Sequence, residues 1–495
     1  MDREMKSLSD NEVWELTTLP PKRNVIGCKW IYKVKTNSDG SIERYKARLV
    51  ARGFNQKFGS DYDETFCPVV RLESLRTLVA LSTQRGFELH HVDVHTAFLN
   101  GILQEEVYMK QPIGYEKEGE EHLVCRLRKS IYGLKQSSRC WNTVLDARLR
   151  KMGFSQSKSD PCIYTSEGDD PFYIGVYVDD LILAGKDEAK MKRVKEELAS
   201  EFDIKDLGKL SYFLGMSIIQ DQEKKKIWMG QPTYTEKLLS KIGMSNCKPV
   251  STPADPSNHL VKAAENEVAV DQPLYQSLIG SLMYLATCTR PDIAYSVGVL
   301  ARFSSKPYQS HWTAAKRVLR YLKGTSNLGI VFRGDNPDVP IVFSDADWAG
   351  DTEDRKSTSG YMFCIAGGPV SWRSKKQSTV ALSTAEAEYV ALSSAAQECV
   401  WMRRLNSELG NSLGEPMTVM EDNQSCIAMA KNPQHHRRSK HIDIKYHFVR
   451  ELVENESIKL NYGPTKEMVA DILTKGLHRE QFCYLRRKAG IESHE

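Results

Sequence analysis

Two apolar runs, Phe172 to Val178 and Leu181 to Gly185, close on an adjacent pair of carboxylates, Asp179 and Asp180. Runs of this kind make buried strands, and successive residues of a strand point to opposite faces. Both acids therefore serve one site only at a hairpin turn, so the chain must fold a buried β-hairpin with charge at its tip. An ordinary solvated turn accounts for the pair taken alone; the long apolar flanks favour the buried hairpin. Upstream, residues 89–95 alternate, with Leu89, His91, Asp93 and His95 on one face and Val92 and Val94 on the other. Asp93 leads into an Asn100-Gly101 turn, and by itself reads equally well as a strand-end acid facing solvent. Together Asp93, Asp179 and Asp180 suit the two divalent ions of in-line phosphoryl transfer, which lie about 3.5–4 Å apart.

A chain of 495 residues is long enough for roughly three domains of ordinary size. With 41% apolar and 27% charged residues, wholesale disorder is excluded. The net charge of +4 argues neither for nor against a polyanionic partner, because a basic groove and an acidic site cancel in the sum. Eleven cysteines, odd in number and never in C-x-x-C pairs, fit reduced thiols better than a disulfide frame or a zinc knuckle. Met1 to Lys6 lacks the apolar stretch of a signal peptide, and the segment Leu274 to Thr289 is too short and too polar to span a bilayer. These features predict a soluble intracellular protein with no membrane partner.

Alternation predicts strands at 14–16 and 28–35, a turn at Asn37 to Gly40, and a basic strand from Tyr45 to Arg52. A helix is predicted over Leu72 to Arg85, strands near 88–95 and 172–184, and a solvated helix between Lys186 and Glu201. From Tyr234 to about Ile330 the pattern is helical, as in Ser277 to Leu285 and His311 to Leu322. The break Gly334 to Asp338 separates this region from a strand-then-helix unit at about 340–480.

That last unit carries a second set of acids. Pro340 to Asp345 reads as a strand ending in a carboxylate, and Met417 to Asp422 as another, followed by a helix from Asn423 to Lys431. Ser383 opens a helix as a capping residue with Glu386 at the third position, which explains Glu386 without function. Glu388 differs: Leu392, Ala395 and Cys399 share its face, no base stands at i+4, and a metal is its natural partner. Asp422 is explained equally well as a helix cap. Asp471 lies within the mostly apolar helical stretch Met468 to Leu473. Four acids on separate elements (Asp345, Glu388, Asp422 and Asp471) suit a two-metal phosphodiester hydrolase. His435 to His447 is rich in His and Arg and reads as a nucleic-acid-facing basic patch rather than a zinc site.

Tyr177-Val178-Asp179-Asp180, with Asp93 to Phe98, resembles the active site of reverse transcriptases. Tyr45 to Gly53, Asp63 to Val70 and Tyr132-Gly133-Leu134-Lys135-Gln136 resemble the copia-type branch of long-terminal-repeat retrotransposons. The order Asp345, Glu388, Asp422, Asp471, with Ser344 to Trp348 and Asp422 to Ser425, resembles the ribonuclease H of the same branch. The likeness covers almost the whole chain and is that of the tail of a Pol polyprotein, with no protease, integrase or capsid-like segment beside it.

What the resemblance implies is an α+β and α/β multidomain fold, a right-hand polymerase followed by a ribonuclease H-like domain. Residues 10–230 would be fingers and palm, 231–335 a helical thumb and connection, and 338–480 the nuclease. Asp93 and Asp179 would ligate both polymerase metals, with Asp180 supporting, and Asp345, Glu388, Asp422 and Asp471 would hold those of the nuclease. The metal would be magnesium, or manganese in its place. Lys46 and Arg48, otherwise a solvated charged face, would clamp the incoming triphosphate. Phe98, otherwise a core aromatic, would be the steric gate against a ribose 2′-OH, and Gln136 would contact the nucleotide. Phe213 to Met216 resembles the primer grip, and Lys316, Arg317 and Arg320 would face a phosphate backbone. The implied partners are an RNA template, a DNA primer, RNA–DNA hybrid and deoxynucleoside triphosphates; the implied location is a cytoplasmic particle with access to the nucleus. The chain departs from the pattern at Ser137-Ser138, where Ala-Pro is usual, and at His95, where Lys is common. It has no histidine ahead of Asp471 to serve as a proton shuttle. A nucleic-acid-binding remnant without catalysis is the alternative from another class, although all seven acids are retained.

Overall fold

The computed structural model describes residues 1–36, 42–168, 170–258, 260–262, 267–336, 339–411, 416–431 and 443–494. The predicted turn at Asn37 to Gly40 and most of the basic patch from His435 lie outside the described residues. The chain forms two compact units, Met1–Val70 with His90–Gly208, and Arg71–Leu89 with Lys209–Glu495.

In the first unit the alternating segments pair as expected. Cys28–Thr36 and Ile42–Ala51 form an antiparallel hairpin in which Lys46 faces Lys33 and Arg48 faces Ile31. A four-stranded sheet runs in the order Trp14–Thr17, Val124–Lys129, Ile102–Met109, Val25–Ile26. The six-stranded sheet beside it runs in the order Ile204–Lys209, Glu88–Val94, Asp180–Gly185, Tyr173–Tyr177, Ile163–Ser166, Phe154–Gln156. The acid-tipped hairpin lies at its centre, with Tyr177 opposite Asp180, so Val178 and Asp179 make a two-residue turn. Its flanks are buried throughout, from Phe172 to Val176 and from Leu181 to Ala184, as their hydrophobicity requires. The helix Ser137–Lys151 packs Trp141, Leu145 and Leu149 inward.

In the second unit the helix Leu72–Arg85 forms as predicted and stops at Gly86, whose φ of +66° suits a residue without a Cβ. Between 232 and 324 lie the helices Pro232–Lys241, Gln272–Cys288, Ala294–Ala301 and Gln309–Gly324. The helical reading fails twice: the described residues between Lys241 and Gln272 carry no helix, and at its end Leu328–Arg333 is a strand. A short apolar run satisfies either period, and here its backbone is claimed on both sides, by Lys226–Gly230 and by Ile491–Ser493. These strands, with Tyr212–Phe213 and Met216–Asp221, complete a five-stranded sheet. A second five-stranded sheet has the order Gly368–Lys376, Thr358–Ile365, Ile341–Ala346, Met417–Glu421, Ile458–Tyr462. Its first three strands are antiparallel, and Met417–Glu421 and Ile458–Tyr462 run parallel to the central one. The helix Thr384–Glu408 packs on this sheet. One apolar core joins Leu278, Leu282 and Leu319 of the helices to Ile472, Leu485 and Ile491.

The C-terminal strand is thus structural. Trp228 Nε1 donates to the Glu492 carbonyl at 3.1 Å, and Arg333 pairs with Glu492 at 2.7 Å. Truncating the fully buried Ile491 to Ala should cost about 2–4 kcal/mol. Urea unfolding followed by fluorescence measures the change; a loss under half a kcal/mol would show that the strand is dispensable.

Candidate functional site

The first acid group sits at the hairpin tip. Val178 carries φ +57°, a backbone state rarely adopted by a β-branched residue, in the turn position where Gly is usual. Two bonds hold that strained turn. Trp141 Nε1 donates to the Val178 carbonyl at 2.6 Å, and the Val94 amide donates to the Asp179 carbonyl at 2.8 Å. The second bond also joins the Asp93 strand to the hairpin. Burial raises the Asp179 carboxyl above its ordinary range, Asp180 and Asp93 push it further, and Arg48 opposes them. The other two acids have histidine partners. His91 Nε2 lies 2.7 Å from Asp180 Oδ1, and His95 Nε2 lies 3.6 Å from Asp93 Oδ2.

Cations and rings border these acids. The Arg48 guanidinium lies 4.0 Å over the Tyr132 ring, and Phe98 meets that ring edge-on with centroids 4.9 Å apart. Lys46, two residues from Arg48 on the same strand face, lies in the field of Glu4. Gln136 is placed otherwise than a nucleotide contact requires. It is 1% exposed, donates to the Asp61 carbonyl at 2.8 Å and accepts from Gln56 Nε2 at 2.9 Å. In this structure its amide ties down the loop that follows Arg52.

The second acid group is more tightly gathered. Asp345 is the penultimate residue of the central strand, Glu388 projects from the first turns of Thr384–Glu408, and Asp422 follows the neighbouring parallel strand. Each offers a carboxylate oxygen, and the three oxygens lie within 4.8 Å of one another. Among the described residues this is the group with metal-ligand spacing; Asp93, Asp179 and Asp180 are not drawn together to that degree. The cap of the helix Gln424–Lys431 is Asn423, whose Oδ1 accepts from the Cys426 amide at 3.0 Å, so Asp422 is not needed there. Ser383 accepts from the Glu386 amide as anticipated, while the Glu386 carboxylate takes the Leu382 amide.

Asp471 comes from the short helix Val469–Leu473 and joins the group through Lys475, whose Nζ is 2.9 Å from Asp471 and 3.7 Å from Asp345. Thr474 Oγ1 donates to Asp345 Oδ2. Burial raises Glu388, Asp422 and Asp471, and the charge of Asp345 adds to each. Glu388 Oε2 is buried without a hydrogen-bond partner. An orphaned carboxylate oxygen in an all-oxygen donor set fits a hard divalent cation.

Several contributors escape a sequence reading. Tyr132 stands only as a letter of a motif, and its place between Arg48 and Phe98 is tertiary. Glu421, fully buried beside Asp422, points away from solvent with one oxygen unpaired. Lys475 did leave a signal, the i,i+4 spacing from Asp471.

Comparison with known proteins gives these groups a context. The family described as "Reverse transcriptase (RNA-dependent DNA polymerase)" matches residues 11–256. The chain is 43% identical to a retrovirus-related Pol polyprotein from transposon TNT 1-94 of Nicotiana tabacum, over 100% of the chain and 38% of that protein. It is 40% identical to the corresponding polyprotein from transposon RE2 of Arabidopsis thaliana, over 99% of the chain and 34% of that protein. The chain therefore spans little more than a third of these relatives. A putative transposon Ty5-1 protein of Saccharomyces cerevisiae is matched over 100% of its own length at 36% identity. Among solved structures, a foamy viral protease–reverse transcriptase in complex with RNA/DNA hybrid matches with TM-score 0.53 and 14% identity, covering 93% of this chain and 52% of that one. Its counterpart with double-stranded DNA gives TM-score 0.50 and 12% identity, covering 94% and 69%. These likenesses establish the fold: a mixed α/β multidomain protein resembling retroviral reverse transcriptase, with a ribonuclease H-like domain.

The raised carboxyls carry a sign. Each is easier to keep protonated folded than unfolded, so its contribution to stability is full below about pH 4 and is lost as pH rises through the elevated values. In a chelator, Tm should fall as pH rises from 4 to 8, and magnesium should restore it most at the upper end. Melting curves test this; a magnesium effect independent of pH would contradict it.

Proposed function

The chain belongs to the reverse transcriptase region of copia-type retrotransposon Pol polyproteins, and from that premise we propose that it copies retrotransposon RNA into DNA and cleaves the RNA of the resulting hybrid. Residues 10–230 act as fingers and palm, 231–335 as thumb and connection, and 338–480 as the ribonuclease H-like domain. The observation that carries the nuclease assignment is the convergence of Asp345, Glu388 and Asp422, with one Glu388 oxygen unpartnered. The polymerase assignment is supported by Asp179 at the tip of a buried hairpin, bonded through its carbonyl to the strand that carries Asp93.

Magnesium, or manganese in its place, would neutralise charge on the phosphate and lower the pKa of the attacking hydroxyl or water at both groups. In the palm, Asp93 and Asp179 hold the ions and Asp180 supports them. Arg48, steadied on Tyr132, and Lys46 bind the triphosphate of the incoming deoxynucleotide. The Phe98 ring, braced by Tyr132, excludes a ribose 2′-OH, while Gln136 fastens the loop that follows Arg52. RNA template and DNA primer are the polymerase's partners, and RNA–DNA hybrid is the nuclease's.

In the nuclease, Asp345, Glu388, Asp422 and Asp471 hold the ions. A cavity of about 560 Å³ beside them is lined by Lys316, Arg317 and Arg320 together with Asp347, Lys475 and Gly476. Arg317 is anchored to Thr252 at 2.9 Å and pairs with Asp255, which also lines the cavity, at 3.5 Å, and Arg320 is anchored to the Lys248 carbonyl at 2.7 Å, so the cavity beside the acids holds three cations besides Lys475, one of them partly offset. Such a set favours a phosphate backbone. No helix among the described residues is long and apolar enough to cross a membrane.

Two reciprocal variants test the assignment. Asp179→Asn should lower primer extension by at least about a thousandfold while leaving hybrid cleavage intact, as expected when a transition-state charge contact is lost. Glu388→Gln should do the reverse. Extension by the first variant at the parent rate, or cleavage by the second, would refute the metal-binding role concerned. Binding of primer–template by the parent chain without incorporation would identify a silent remnant.

A further inference from the structure

Lys475 has no role in the chemistry above, yet it is built into the acid group. The segment 471–475 delivers three groups to one place: the Asp471 carboxylate, the Thr474 hydroxyl on Asp345, and the Lys475 ammonium between Asp345 and Asp471. The Lys475 amide donates back to the Asp471 carbonyl at 3.2 Å, which locks the spacing of acid and base. Asp345 is consequently shared, being a member of the convergent trio and also a partner of Lys475. The lysine side chain is 37% exposed and borders the cavity of Lys316, Arg317 and Arg320, so it has somewhere to go.

An ammonium and a divalent cation cannot both make close contact with the same two carboxylates without strong repulsion. We propose that Lys475 is a resident competitor for the second divalent ion of the nuclease. While it bridges Asp345 and Asp471, the group takes one ion, at Asp345, Glu388 and Asp422. A second is admitted when Lys475 turns into the cavity, where a phosphate of the hybrid is its alternative partner. Charge balance supports this. Counting only the four proposed ligand carboxylates, one dication and one ammonium leave a deficit of one charge. A bound phosphodiester doubles that deficit, and a second dication removes it. The lysine thereby couples full ion loading to the presence of substrate. This inference rests on the nuclease reading.

The test is manganese binding by electron paramagnetic resonance, on the full chain with Asp93→Asn and Asp179→Asn to silence the palm. With Lys475 in place, one Mn²⁺ should bind, and a second at least about tenfold more weakly. Lys475→Met should tighten the second by about tenfold or more, and Lys475→Arg, which keeps the charge, should leave it weak. An unchanged second affinity in Lys475→Met, or a tight one in Lys475→Arg, overturns the proposal. Hybrid cleavage by the parent chain is assayed in parallel. Failure to cleave, with the manganese pattern as expected, would sink the nuclease reading and leave the competition by Lys475 established.

Discussion

Asp345 is 1% exposed on the central strand of its sheet, and the polar groups at that end of the sheet are arranged around its charge. A buried carboxylate is tolerated only when other groups offset the loss of water. Thr474 donates to it, Lys475 stands near it, and Glu388 and Asp422 bring further negative charge from two other elements. That placement requires the mixed sheet, because only a central strand flanked by a parallel neighbour brings two strand-end acids to the same edge. It also requires a helix crossing that edge to supply Glu388. The fold is therefore a frame for concentrating negative charge.

The first unit solves the same problem differently. Its acids are less buried, Asp93 and Asp180 being 34% and 30% exposed, and each has an imidazole beside it. The energetic burden lies instead in the backbone, at Val178, where two hydrogen bonds maintain a conformation that the side chain disfavours. One group is thus held by packing of charge and the other by hydrogen bonds from remote residues to a strained backbone turn.

This difference governs what could be read without coordinates. The hairpin was legible because alternation, apolar flanks and a paired acid are local signals, and the helix Leu72–Arg85 was legible for the same reason. Asp345, Glu388, Asp422 and Asp471 could be singled out because each ends or interrupts an apolar element, and the structure gathers the first three. The roles of Tyr132, Trp141 and Glu421 were not legible, since their neighbours are remote in sequence and the residues are unexceptional in isolation. Leu328–Arg333 was misassigned because a short apolar run has no period of its own; its partners, some 100 residues before it and 160 after, decide it. Gln136 shows a subtler limit. A motif letter marks importance but does not say whether the side chain faces a ligand or braces the loop that does.

The strand Ile491–Ser493 closes a sheet whose other members are complete by Arg333. During translation, the outer edge of Leu328–Arg333 consequently stays open while some 160 further residues are made. An open edge of buried character, with Ile330, Val331 and Phe332 in it, is a template for pairing with another chain. Crowded nascent chains would meet that hazard together. Sequestration by chaperones, or prompt docking of Ile491–Ser493, then becomes a condition of reaching the folded state.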